Sequence, residues 1–280
     1  MTDATFSPSM PARSTGRMIP ALFGADPRFA MLGALMLFSM LPTGLAMQVD
    51  PRLFQGENIW LKPLKFEFAL AVYLLSLAFF ARFLPAGLLD RRGFRIFSVV
   101  VILCVLGEMA WIGGAAMFGT ASHFNLSNPV MQGLYGLMGL FAVTLTSASL
   151  IYGIAIWRNP AGLPDAALRL SVGLGLGLTF VLTVVVAGYM SSQTGHLVGV
   201  PVSDARVPIM GWSREVGDLR LPHFLATHAM HVIPLGGLVA SRMLPAGAAL
   251  RAVWAVSTVF VLVTGASFAM AIMGLPVFPV

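Results

Sequence analysis

Three histidines, His223, His228 and His231, stand within nine residues of one another at the start of a long apolar run. Neutral imidazole ligates transition metals and haem, and it passes protons near neutral pH. Steps of about 100° per helical residue put His228 and His231 about 60° apart and His231 and His223 about 80° apart, so the three share one broad arc. The spacing is not that of a zinc protease, which needs histidines at i and i+4 with a glutamate between them. Five histidines are also too few for the many-histidine boxes of membrane di-iron desaturases. A haem would need His123, His196 or a methionine as its second axial ligand. Either loop histidine, His123 or His196, would complete a metal shell begun by the other three.

Glu108 lies inside another apolar run. There a carboxyl must be protonated, paired or facing a polar cavity, which makes it a candidate proton carrier. By helical rise it sits about 15 Å below the end of its run, and His231 about 13 Å below the start of its own, so the two could meet. Pro234 has no N–H for the carbonyl of Met230 and frees an acceptor beside His231. Arg214, Asp218 and Arg220 lead directly into the histidine run, and an arginine fork suits an anionic or polar headgroup. Plainer roles stay open. Membrane histidines often join helices, Lys62, Lys65 and Glu67 would anchor a helix at the interface, and Asp218 and Arg220 would cap a helix or pair with each other.

The elements that must hold these residues are helices in lipid. The chain is 58% hydrophobic and 10% charged, against about 25% charged in a soluble domain. Seven apolar runs, 29–48, 66–85, 96–118, 130–157, 169–192, 222–243 and 250–273, are each long enough to cross a hydrocarbon core of about 30 Å. The expected fold is therefore all-α, a polytopic transmembrane bundle over residues 28–280 behind a mobile cytoplasmic tail over residues 1–27, which is rich in Ser, Thr, Pro, Gly and Arg. Cys104, the single cysteine, excludes an internal disulfide and any cysteine-based metal framework.

Seven crossings put eleven of the 17 Lys and Arg residues on the side of the N-terminus. The remaining six are Arg52, Lys62, Lys65, Arg206, Arg214 and Arg220. Positive-inside then places the N-terminus in the cytoplasm and the C-terminus in the periplasm of a bacterial inner membrane. All five histidines fall on the periplasmic side or in the adjoining half of the membrane. The fifth loop, about 29 residues, exceeds a simple connector. The dispersed arginines follow this topology and do not form a nucleic-acid surface. Gly133, Gly136 and Gly139, and Gly173, Gly175 and Gly177, are expected helix-packing surfaces.

The stretches Trp60-Leu61-Lys62-Pro63-Leu64-Lys65-Phe66, Ser122-His123-Phe124-Asn125 and Gly217-Asp218-Leu219-Arg220-Leu221-Pro222-His223-Phe224, followed by His228-Ala229, resemble a family of bacterial integral membrane proteins with no assigned activity. The likeness covers roughly residues 55–235 and transfers no catalytic role. The residues alone suggest a periplasm-side metal or haem site for redox or hydrolytic chemistry on a lipophilic substrate. A proton-coupled transporter using Glu108 and His231 is the first alternative, and a non-catalytic membrane subunit or assembly factor the second.

Overall fold

The computed structural model describes residues 24–280, so residues 1–23 of the expected tail lie outside it. It contains seven helices long and apolar enough to cross a membrane: α1 (Pro27–Val49), α2 (Leu61–Phe80), α3 (Arg92–Met117), α4 (Pro129–Trp157), α5 (Ala166–Ser191), α6 (Arg220–Met243) and α7 (Ala246–Ile272). The protein is a multi-pass all-α membrane protein. Short antiparallel ladders close two connections. Leu53–Phe54 (β1) pairs with Glu57–Asn58 (β2), and Leu197–Val198 (β3) pairs with Gly217–Asp218 (β4).

Helices α2, α3 and α7 begin four or five residues earlier than the apolar runs suggest. Lys62, Lys65, Arg92 and Arg95 therefore lie inside helices. Long cationic side chains can extend from a first turn toward the headgroups, so charge marks the edge of the apolar stretch without ending the helix. The starts are chemically specified. Asn128 caps α4, accepting from Val130 N and Met131 N at 3.1 and 3.0 Å, with Pro129 in the first turn. Asp165 accepts from Leu168 N at 2.7 Å to open α5.

Helix α1 packs along α2, α4 along α5, and α6 between α5 and α7. Gly175 permits the α5–α6 approach, because a Cβ there would come within 2.7 Å of Pro234 Cδ. A Cβ at Gly173 would come within 2.9 Å of Trp157. By contrast, Gly133, Gly136 and Gly139 meet no other described residue and lie on an exposed side of α4. The expected packing role thus holds for Gly173 and Gly175, while a Cβ at Gly177, as at the α4 glycines, would meet nothing within 4 Å in this chain.

One buried polar anchor joins the start of α1 to α4. Asp26, fully buried, caps α1 by accepting from Arg28 N and Phe29 N, and Tyr152 of α4 donates its hydroxyl to Asp26 Oδ2 at 2.6 Å. Sequence reading left Asp26 in the tail because only the fold brings Tyr152 to it. Tyr152→Phe keeps the ring packing on Phe29 and Phe94 but removes a hydrogen bond to a buried carboxyl. It is expected to cost about 2 kcal/mol, read as a lower melting temperature in detergent.

Candidate functional site

The three odd-numbered connections meet on one face of the bundle. In the first, Gln55 (φ 52°) and Gly56 (φ 80°) form a two-residue left-handed turn between β1 and β2. Asp50 receives the Arg52 guanidinium at 2.7 Å and the Trp60 indole N–H at 3.0 Å, which hold its carboxyl well below the usual range. In the fifth connection Glu215 accepts from Val202 N, Ser203 N and the Ser203 hydroxyl. Arg206 reaches across to Glu57 at 3.3 Å and ties the two connections together.

Of the two roles the sequence left open, Asp218 and Arg220 pair with each other, while Leu219 stands at the N-cap of α6 without a side-chain cap. The guanidinium of Arg220 grips Asp218 through Nε and Nη2, at 3.0 and 2.7 Å. Asp218 also accepts from Arg220 N and Ser213 N, and Arg220 donates to the Gly211 carbonyl at 2.6 Å. Burial alone would raise the Asp218 carboxyl, but Arg220 outweighs it and the net displacement is downward. Arg214 points elsewhere, donating to the carbonyls of Phe278 and Pro279 at 3.3 and 2.8 Å. Arg214 and Arg220 are thus committed to protein partners.

The histidines separate into distinct places. His123 Nδ1 lies 3.4 Å from Lys62 Nζ and 3.1 Å from Ser122 Oγ. His196 lies within electrostatic reach of Arg220, Asp218 and Lys62. Along α6, His228 Nδ1 is 2.8 Å from the Phe224 carbonyl, which accepts only; its proton therefore sits on Nδ1 and leaves Nε2 free. The His228 ring lies 5.3 Å from that of His231. His231 Nε2 is 2.9 Å from Ser76 Oγ of α2. Because that hydroxyl already donates to the Val72 carbonyl at 2.7 Å, Nε2 carries the proton and Nδ1 is a bare acceptor. His223 Nδ1 and His231 Nδ1 are buried without a partner. Among the described residues no three His, Cys, Asp or Glu side chains converge as a transition-metal shell of these groups would require.

Glu108 does not meet His231. It is 3% exposed, its Oε2 has no partner, and it lies within electrostatic reach of Lys62. The separation follows from packing, since α3 lies against α2 and α4 while α6 lies between α5 and α7.

Sequence reasoning missed the stripe that connects these groups. At 100° per residue, Lys62, Lys65, Ala69, Tyr73 and Ser76 share one side of α2. Lys62 reaches His123, Tyr73 donates to the Leu145 carbonyl at 2.9 Å, and Ser76 meets His231. Ala69 is exposed although residues above and below it on the stripe make these contacts. A helical wheel begun at Lys62 would have revealed the stripe. Glu67 points the other way and accepts from Thr43 of α1 at 2.8 Å.

Comparison with known protein families, with characterised proteins and with solved structures finds no match to this chain.

Burial first and Lys62 next push His123 down to about 3. Burial and then Arg220 push His196 down to about 4, against the opposing pull of Asp218. Both stay neutral in the folded protein while the unfolded chain takes up protons near pH 6.5, so stability falls as pH drops from about 6.5 toward those values. The melting temperature in detergent is expected to fall between about pH 7.5 and about pH 5, and His123→Gln to lessen the fall. An equal fall in the variant would show that His123 is not desolvated.

Proposed function

We propose that this protein is a proton-coupled carrier of a bacterial inner membrane, with its N-terminus in the cytoplasm and its histidine face toward the periplasm. The eleven-to-six division of basic residues supports that orientation. One observation carries the carrier reading: of six buried side-chain polar atoms left unpaired among the described residues, four belong to titratable groups, Glu67 Oε2, Glu108 Oε2, His223 Nδ1 and His231 Nδ1. Ordinary membrane packing pairs such groups, because each orphan costs on the order of a few kcal/mol. Groups that bind and release a proton or a polar solute must instead keep a free valence.

The arrangement suits alternating exposure. Lys62 and His123 form the periplasmic end. Ser76 and His231 form a hydrogen-bonded closure within the membrane, Ser76 about 22 Å along α2 from its start by helical rise. In this reading the buried Glu108 takes the proton passed inward from that end. His231 Nδ1, at similar depth on another helix, accepts it once water or solute fills the stretch beside Ala69. The unconverged histidines give less support to metal-dependent redox or hydrolytic chemistry.

The test uses proteoliposomes with a trapped pH indicator, screened with small acids, sugars and amines under an imposed proton gradient. Wild type is expected to couple proton entry to uptake of at least one solute, and Glu108→Gln to reduce the coupled flux by about 10²-fold or more, the scale for loss of a positioned proton-transfer group. Coupled uptake untouched by both Glu108→Gln and His231→Gln would sink the relay. Near-stoichiometric iron, zinc or copper in untagged protein, lost in His228→Ala and His231→Ala, would replace the carrier with a metal centre.

A further inference from the structure

The basic groups of the histidine face divide into satisfied and unsatisfied. Arg52 pairs with Asp50, Arg206 with Glu57 and Asp204, and Arg220 with Asp218, while Arg214 holds backbone carbonyls. Lys62 and Lys65 have no carboxylate within salt-bridge distance among the described residues. They stand one turn apart at the start of α2, which has no side-chain cap and no acid in its first turn. Lys62 is partly buried, its ammonium lies 6.0 Å from the centre of the Phe66 ring, and among the described residues only His123 Nδ1, at 3.4 Å, stands within hydrogen-bond distance of it.

The surroundings repeat this preference. A point beside Gly211, where a Cβ would stand, lies 4.0 Å from Lys65 Nζ, 3.9 Å from Arg220 Nη1 and 3.6 Å from Glu57 Oε1, so the fifth connection roofs the same basic corner. Below it the buried Glu108 keeps Oε2 unpaired within electrostatic reach of Lys62. When protonated, that carboxyl is a hydrogen-bond donor. A helix start, two unpaired ammonium groups and an unpartnered buried acid together call for an acceptor that brings negative charge.

We infer that the first turn of α2 binds a small oxyanion, a carboxylate or phosphate group, between Lys62 and Lys65, with Glu108 as the proton-bearing partner beneath it. This rests on the carrier reading and names its cargo: an oxyanion taken up with a proton, so that the pair enters the seam with less net charge. A lipid headgroup phosphate offers the same chemistry from the bilayer side.

Untagged protein in nanodiscs of neutral phosphatidylcholine is titrated with inorganic phosphate, acetate and succinate, and binding is followed by calorimetry and by the fluorescence of Trp60, Trp111 and Trp212. At least one oxyanion is expected to bind saturably. Lys62→Gln should weaken it by about tenfold or more, Lys62→Arg should retain it, and Lys62→Gln with Lys65→Gln should abolish it without changing the melting temperature. A second arm uses discs containing phosphatidylglycerol. Loss of soluble-anion binding there, with phosphatidylglycerol retained by wild type and not by the double variant in native mass spectrometry, assigns the site to a lipid headgroup phosphate.

Saturable binding in neither arm overturns the proposal, as does equal binding by a folded double variant. Should the double variant not fold, equal binding by Lys62→Gln and Lys62→Arg overturns it. Glu108-dependent proton movement without oxyanion binding leaves the carrier standing and removes this site. Lysine-dependent binding without Glu108-dependent proton movement does the reverse.

Discussion

In hydrocarbon a polar group must find its partner inside the protein, and every part of this molecule answers to that requirement. The backbone satisfies it by forming seven helices. Side-chain hydroxyls satisfy it locally: Ser98, Thr144, Thr146 and Thr264 each donate to a carbonyl one turn earlier in their own helix. Thr179 extends the rule between helices, donating to the Gly175 carbonyl and accepting from Met230 N. That bond lies next to Pro234, where a missing N–H already disturbs the helical ladder. Against that background an unpaired oxygen or nitrogen is informative; four of the six buried ones among the described residues lie on α2, α3 and α6, the others being the hydroxyls of Thr183 and Ser257.

The two sides of the membrane use charge differently. The basic-rich face spends its arginines on closure, with Arg28 donating to the Leu89 carbonyl and Arg82 to that of Phe79. The histidine face builds ion-paired connections from Asp50, Glu57 and Asp218 and a hydrogen-bonded one from Glu215, and these fix the walls within which two lysines remain available. Rigid loops around a few unsatisfied groups are what a binding site requires, since ordering the walls in advance lowers the entropy lost when a ligand arrives.

Much of the architecture was legible because hydropathy reports the solvent directly: seven runs gave seven helices, and Asn128, Pro129 and Asp165 mark their starts. The gathering of His123, His196, Arg220 and the α6 histidines toward one face was legible from topology alone. What escaped were contacts that depend on which helices are neighbours. Depth placed Glu108 level with His231, but depth carries no information on azimuth, and packing gives Glu108 to Lys62 and His231 to Ser76. Asp26 was hidden for the same reason, as its partner is 126 residues away. The α4 glycines show the converse failure, since a small-residue stripe says that close approach is possible and not that it occurs.

The Ser76–His231 bond sets the mechanical character of the joint between α2 and α6. A neutral hydrogen bond contributes about 1 kcal/mol net, less than the 1.4 kcal/mol that makes a tenfold difference in population. So far as this bond governs the seam, its open and closed forms differ in abundance by only about fivefold. Such a joint breathes thermally, and a bound molecule with a modest preference for one geometry redistributes the ensemble without needing force to drive it.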